Sequence, residues 1–254
     1  MTKWIYGIVM QSITEALPIS SSLHLQLLRY KQSDMQTAIL HFATGLISIF
    51  LCKSEIYNLI YGFSLPFIGV CNIWTKLSYY FLYIITIPIL CIGFCLHKSQ
   101  VTWPNQLSGM LSIVCGIFLF ITDIYFPETH KSLSKFSLHH ALILSLFQSL
   151  AFIPGVSRLG SAYTILRLFS FHRVVAYKTA ILLGIIPSIA SIYPHLNTIH
   201  YRSLTLSNIT LMLQSMIIIF IIYLYTILTV LKNLYILSSL GIYRAIFGLF
   251  LLFR

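Results

Sequence analysis

The sequence predicts an all-α polytopic membrane protein, and three observations carry that reading. The 254-residue chain is 58% hydrophobic and only 8% charged, with a mean hydropathy of +0.89. A soluble domain carries about a quarter charged residues. Apolar runs recur along the whole chain, and a helix of roughly 20 such residues spans a bilayer. The runs are continuous, as from Leu211 to Leu231, and do not alternate as barrel strands do. No linker or low-complexity stretch divides the chain, so residues 1–254 read as one domain.

The expected elements follow in order. Lys3 precedes a first apolar stretch, but no small-x-small cleavage site follows, so this stretch reads as mature protein. A helix over 4–15 ends near Pro18, because proline removes a backbone donor and clashes with the preceding turn. A second short helix follows Pro18 to about Arg29. Apolar runs then predict helices over 36–52, 55–73, 77–97, 106–126 and 137–152. Pro154-Gly155 breaks the chain again, and a short helix ends near Phe169. Long helices over 174–192, 208–231 and 234–253 complete the chain. Residues 4–15, 18–29, 137–152 and 156–169 are each too short to cross a membrane.

Two of these breaks echo each other. Gln11-Ser-Ile-Thr-Glu15-Ala-Leu-Pro18-Ile-Ser20-Ser21-Ser22-Leu23-His24 is answered by Gln148-Ser-Leu-Ala-Phe152-Ile-Pro154-Gly155-Val-Ser157-Arg158-Leu159-Gly160. Proline-interrupted short segments in corresponding places of two halves are the sequence sign of an inverted repeat. In such folds the broken helices meet at a site within the membrane.

The two stretches hold most of the chain's usable chemistry. Glu15 is one of only five acidic residues and lies in apolar sequence. A charge at mid-bilayer costs on the order of 2.5–3.5 kcal/mol, so such residues face polar cavities. Gln11 sits one turn before it on the same face, an oxygen-bearing pair suited to a hard cation or to a set of donors. Ser20, Ser21 and Ser22 open a helix, and three hydroxyls exceed what an N-cap needs. His24 shares a face with Ser20 and Ser21 and is the type of base that activates a serine. Ser157-Arg158 opens the other short helix, where a guanidinium and helix N–H groups suit phosphate.

The remaining polar residues are expected to do less. Arg167, Arg173 and Lys178 read as snorkelling to an interface, and His139-His140 as an interfacial polar pair. Asp123 and Glu128 flank a helix end near Pro127 and are expected to be solvated. His97, His130, His172, His195 and His200 fall near helix ends. Cys52, Cys71, Cys91, Cys95 and Cys115 read as buried small hydrophobes rather than metal ligands. The net charge of +11 fits anionic headgroups or an anionic substrate. The basic residues are scattered singly, which argues against nucleic acid. Lysine and arginine are spread over many loops and do not set the orientation.

The first stretch resembles a signature of the undecaprenyl-diphosphate phosphatases, the bacitracin-resistance membrane family: an acidic residue or Gln, Glu four residues on, then Pro-x-Ser-Ser and His. Pro154-Gly155-Val156-Ser157-Arg158-Leu159-Gly160 is similar to the second signature, Pro-Gly-x-Ser-Arg-x-Gly. Gln148, Ala151, the His41-Phe42-Ala43-Thr44 stretch and Tyr243-Arg244 also fit. The chain departs from the family pattern at Gln11, Leu23, Leu159, Ala162 and Lys178.

The resemblance implies hydrolysis of undecaprenyl diphosphate to undecaprenyl phosphate and phosphate, which recycles a lipid carrier for the cell wall. It implies about six transmembrane helices with two re-entrant helix pairs in inverted repeat, often as a homodimer. It further implies a bacterial inner membrane location, a site facing the outer side, and a need for Mg²⁺ or Ca²⁺. Carried over by position, Gln11 and Glu15 would hold the metal or position water. Ser21 would be the nucleophile and His24 its base or acid partner, with direct attack by water from Glu15 as the competing route. Ser20, Ser22, Ser157, Gly155 and Gly160 would contact phosphate, and Arg158 would clamp the diphosphate. A polyprenyl-phosphate flippase is the alternative from another class, since the same architecture serves transporters.

Overall fold

The computed structural model describes residues 2–27, 34–64, 85–88, 90–93, 95, 103–129, 135–191, 193 and 206–253. Ten α-helices are named here: α1 (Thr2–Ala16), α2 (Ser21–Leu27), α3 (Asp34–Leu51), α4 (Lys53–Ser64), α5 (Asn105–Tyr125), α6 (Leu138–Ser149), α7 (Arg158–Leu168), α8 (Arg173–Ala190), α9 (Leu206–Lys232) and α10 (Ile236–Leu252). A 3₁₀ turn, Leu150–Phe152, continues α6. Among the described residues there is no β-strand. The all-α membrane class expected from composition therefore holds.

The predicted boundaries lie within a few residues of these helices. Of the helix expected over 77–97, only residues 85–88, 90–93 and 95 are described, and all are helical. The end of the helix expected over 55–73 lies outside the described residues, as do Arg29, Cys71, His97, His130, His195 and His200. Among the described residues, α5 and α8 are long and apolar enough to cross a membrane. Met216–Lys232 and Ile236–Leu252 would make a third span, bent by 114° at the break between them.

α7 sits at the centre. Leu159 through Arg167 are all buried, and α5, α6 and α8 pack around the helix. A helix buried on every side needs no polar face, which explains why its sequence shows no clean amphipathic stripe. α3 packs on α8, and α9 covers α1 and α3.

The most extensive contact joins α5 to α10. It is a seam of small residues, the device by which membrane helices approach closely. A Cβ added at Gly116 would lie 2.6 Å from the Gly241 carbonyl oxygen, and one at Gly248 would lie 2.5 Å from that of Gly109. Ser112 Oγ adds a 3.1 Å hydrogen bond to the Arg244 carbonyl.

Several polar residues and cysteines lie elsewhere than the sequence suggests. Arg167 does not snorkel: its side chain is fully buried, and it donates to the carbonyls of Phe171, Phe126 and Asp123 at 2.7, 2.8 and 3.2 Å. Asp123 is not solvated but 0% exposed, and accepts from Tyr163 Oη and from Arg173 Nε, the latter at 3.0 Å. Glu128 joins the cluster through Arg173 at 2.7 Å and His172 at 2.9 Å. Paired charge can be buried where lone charge cannot, and the pairing spans a loop that the sequence did not link. Lys178 also finds a carboxylate, Glu55, at 3.0 Å. Cys91 and Cys95 are exposed on the protein surface rather than buried, while Cys52 is buried.

Candidate active site

Both helix breaks are held open by protein groups, and this positions the site. At the end of α1 the backbone carbonyls have no helical partners. Tyr177 Oη donates to the Ala16 carbonyl at 2.7 Å, and Arg244 Nη1 donates to that of Pro18 at 3.0 Å. At the second break Gly155 takes φ +99°, and a Cβ there would run into the Ser108 carbonyl oxygen. Only glycine adopts that conformation readily. Its N–H donates to Ser20 Oγ at 3.2 Å, and its carbonyl accepts from Arg244 Nη2 at 2.8 Å. One guanidinium thus ties the two breaks together. Gly160 lets it pass, since a Cβ there would sit 2.7 Å from Arg244 Nη1.

A cavity of about 540 Å³ opens between the breaks. Glu15, Ser20, Ser21 and Ser22 line one side, and Ser157 and Arg158 come from the other break. Ser21 Oγ donates to Glu15 Oε1 at 2.7 Å. Gln11 Nε2 donates to the same oxygen at 3.3 Å. Arg158 Nη1 donates to Ser188 Oγ at 3.1 Å, and Ser157 Oγ caps α7 by accepting from Gly160 N at 3.1 Å. Among the described residues no carboxylate lies within ion-pair distance of Arg158 or Arg244. Arg158 lines the cavity, so its charge is open to an anion there, whereas Arg244 is buried away from the cavity wall with its terminal nitrogens on the Pro18 and Gly155 carbonyls.

Other expected residues are placed differently. His24 is buried, and its ring does not line the cavity. Its Nδ1–H donates to the Ser20 carbonyl at 2.6 Å, so Nε2 accepts from Tyr243 Oη at 2.8 Å. Phe247 stacks on the ring at 4.4 Å between centroids. Both nitrogens are engaged away from Ser21. Gly155 and Gly160 also lie off the cavity wall and give room to backbone and to Arg244.

His41 was noted in the sequence only as part of a family-like stretch, yet it lines the cavity beside Glu15. Its Nδ1 is 3.5 Å from Glu15 Oε1, and its Nε2 is 3.4 Å from Gln11 Nε2. Most of the remaining wall is apolar, including Leu17, Ile19, Leu90, Phe152 and Pro187, with Thr14 and Ser191 among it. Polar and basic groups thus adjoin an oily surface. Among the described residues, no three His, Cys, Asp or Glu side chains gather as a metal cluster.

The model of the family described as bacitracin resistance protein BacA matches residues 3–250. An undecaprenyl-diphosphatase of Dinoroseobacter shibae is 30% identical over 191 residues, covering 72% of this chain and 71% of the relative. One of Pelagibacter ubique is 33% identical over 193 residues, covering 72% and 69%. One of Methanococcus aeolicus is 28% identical over 256 residues, covering 96% and 94%. With a match spanning both helix breaks and the Arg244 that ties them, this chain belongs to the BacA bacitracin-resistance family.

Proposed function

We propose that this protein is a membrane phosphatase that hydrolyses undecaprenyl diphosphate to undecaprenyl phosphate and inorganic phosphate. The observation that carries the reading is the Ser21–Glu15 hydrogen bond of 2.7 Å in a cavity that Arg158 also lines. It joins a hydroxyl, an acceptor for its proton and a guanidinium with no carboxylate at ion-pair distance among the described residues, beside an apolar wall. No observation favours the flippase alternative.

In the proposed reaction Ser21 Oγ attacks the terminal phosphorus. Its proton passes to Glu15, the group it already contacts, rather than to His24. The bridging P–O bond breaks, undecaprenyl phosphate leaves, and water then cleaves the phosphoserine with Glu15 returning the proton. Arg158 and the N–H groups opening α7 hold the charged equatorial oxygens. Attack by water oriented on Glu15 is the direct alternative, and trapping labelled phosphate on Ser21 distinguishes the two.

A divalent cation, Mg²⁺ or Ca²⁺, fits the donors present. Glu15 gives a carboxylate, and Gln11 Oε1 is a buried oxygen with no partner. Mg²⁺ sites commonly use one or two protein oxygens with the rest from phosphate and water. Bound there, the ion would neutralise charge on the diphosphate. We further take the fold to be an inverted repeat of about six spans, since α1, α2 and α3 have counterparts in α6, α7 and α8, and α3 packs on α8. Placement in the inner membrane with the cavity toward its outer face, and assembly as a homodimer, rest on the family resemblance.

The decisive experiment is phosphate release by detergent-purified protein from a long-chain polyprenyl diphosphate, with and without EDTA. Wild type releases phosphate and Arg158→Ala does not. A pure transporter releases none.

A further inference from the structure

We propose that Ser188 is a positioning residue for Arg158: its hydroxyl aims the guanidinium at the cavity and leaves the positive charge uncancelled. The inference rests on the phosphatase reading above and names the group that sets its anion-holding side chain.

Arg158 opens α7, and its Nη1 donates to Ser188 Oγ on α8 at 3.1 Å. Ser188 itself stands behind the cavity wall. It is 6% exposed, while its neighbours Pro187, Ala190 and Ser191 line the cavity. Its hydroxyl therefore acts on a bound anion through Arg158. The orientation of this hydroxyl sets it apart from others in the helices. Ser12, Ser48 and Thr164 donate to the carbonyl four residues back at 2.7, 2.8 and 2.7 Å, the usual local bond of such residues. Ser188 Oγ finds its partner among the described residues in Arg158 instead.

The serine is fixed from its own helix and from α3. Pro187 has no N–H to offer the carbonyl four residues back, which weakens the ladder in the last turn of α8. Ser191 ties that turn again. Its N–H donates to the Pro187 carbonyl at 3.1 Å, and its Oγ donates to the Ser188 carbonyl at 2.7 Å. On the α3 side Gly45 allows close approach. A Cβ there would lie 3.2 Å from Ser188 Cβ and 3.0 Å from Ile189 Cγ1.

The chemistry of the acceptor matters as much as its place. A guanidinium carries five N–H donors in a rigid fork, so fixing Nη1 sets the direction of the others. Arg173 is held by the carboxylates of Asp123 and Glu128 at 3.0 and 2.7 Å, which offset its charge. A serine oxygen accepts the same kind of bond and brings no charge. The fork is thus ordered before the ligand arrives, and its charge remains for phosphate oxygens. Ordering the side chain beforehand removes part of the entropy cost of binding.

The test uses the full chain in detergent and titrates it calorimetrically with inorganic pyrophosphate. Ser188→Ala should weaken pyrophosphate binding by roughly 10-fold. It should raise KM for a long-chain polyprenyl diphosphate by a similar factor and hold kcat within about 3-fold, since uniform binding is what is lost. In an Arg158→Lys background the same substitution should change binding by less than about 2-fold, because a lysine ammonium has no fork to aim. Thermal melting confirms that each variant is folded. Wild-type affinity in Ser188→Ala, an equal loss in both backgrounds, or a wild type that binds no pyrophosphate would each overturn the proposal. Phosphate release is followed separately: its absence in wild type, with the binding pattern intact, would sink the phosphatase reading and leave the role of Ser188 standing.

Discussion

The first helix break, at Pro18, and the second, at Pro154-Gly155, share a plan but differ at one register position. In the first, Gln11 is followed four residues later by Glu15, and the amide donates to the carboxylate. In the second, Gln148 is followed four residues later by Phe152. Gln148 is 0% exposed, and neither atom of its amide has a hydrogen-bond partner among the described residues. Both breaks have the glutamine, but the residue four positions on is a carboxylate in one and a ring on the cavity wall in the other. The serines diverge likewise. Ser157 caps its own helix at Gly160, whereas Ser20 reaches across to the N–H of Gly155. A shared backbone break therefore carries a carboxylate in one half and a guanidinium in the other, both on the cavity wall.

The sharpest way to break this comparison is Glu15→Gln, which keeps the shape and removes the acceptor. Phosphate release should fall by about 10²–10⁴-fold, and Phe152→Glu in the other half should not restore it. Near-normal turnover would mean that the first half is not the reacting one. Arg158→Ala comes next, with an expected loss of roughly 10²–10³-fold and partial recovery in Arg158→Lys. An equal loss from Ser22→Ala would remove the special standing of the second half.

Smaller effects concern the scaffold. Gly155→Ala should cost about 1–3 kcal/mol, because it adds strain at φ +99° and a clash with Ser108. Gly184→Ala is the control, since a Cβ there meets nothing within 4 Å, and it should leave the melting temperature in detergent unchanged or raised. Gln148→Leu should stabilise by about 1 kcal/mol, since it removes an unpaired buried amide, while Gln11→Leu should lower turnover. Identical behaviour of the two glutamine variants would refute the division of labour. The smallest effect is expected from Tyr243→Phe, which removes one hydrogen bond to His24 at about 1 kcal/mol. A pH–rate profile unchanged by this substitution would fit a positioning role for His24.

Much of the reacting half was legible in the sequence because it is local. Pro18, the serine run and Glu15 lie within one short stretch, and helical spacing alone brings Gln11 to Glu15. The residues that were missed act across distance. Arg244 binds a carbonyl 226 positions away, and carbonyl acceptors leave no mark in the sequence. Arg167 looked like a snorkelling residue because its acceptors come from three separate segments. His24 was assigned to Ser21 because the two share a helix face, but a ring that shares a face can still turn toward another helix. The Gly109/Gly116 and Gly241/Gly248 pairs are visible as spacings, yet nothing in one helix names its partner.

The Arg244 crosslink has a consequence for biosynthesis. The helices that carry Glu15 and Ser21 leave the ribosome before the other helices named here, and α10 emerges after them all. Until α10 docks in its glycine seam, the Pro18 and Gly155 carbonyls lack their donor, and the breaks are left with the 3.2 Å hydrogen bond from Gly155 N–H to Ser20 Oγ between them. Catalytic competence should therefore appear late and abruptly during membrane insertion, not gradually with chain length. The partly inserted protein would carry all the reacting groups and still be inert.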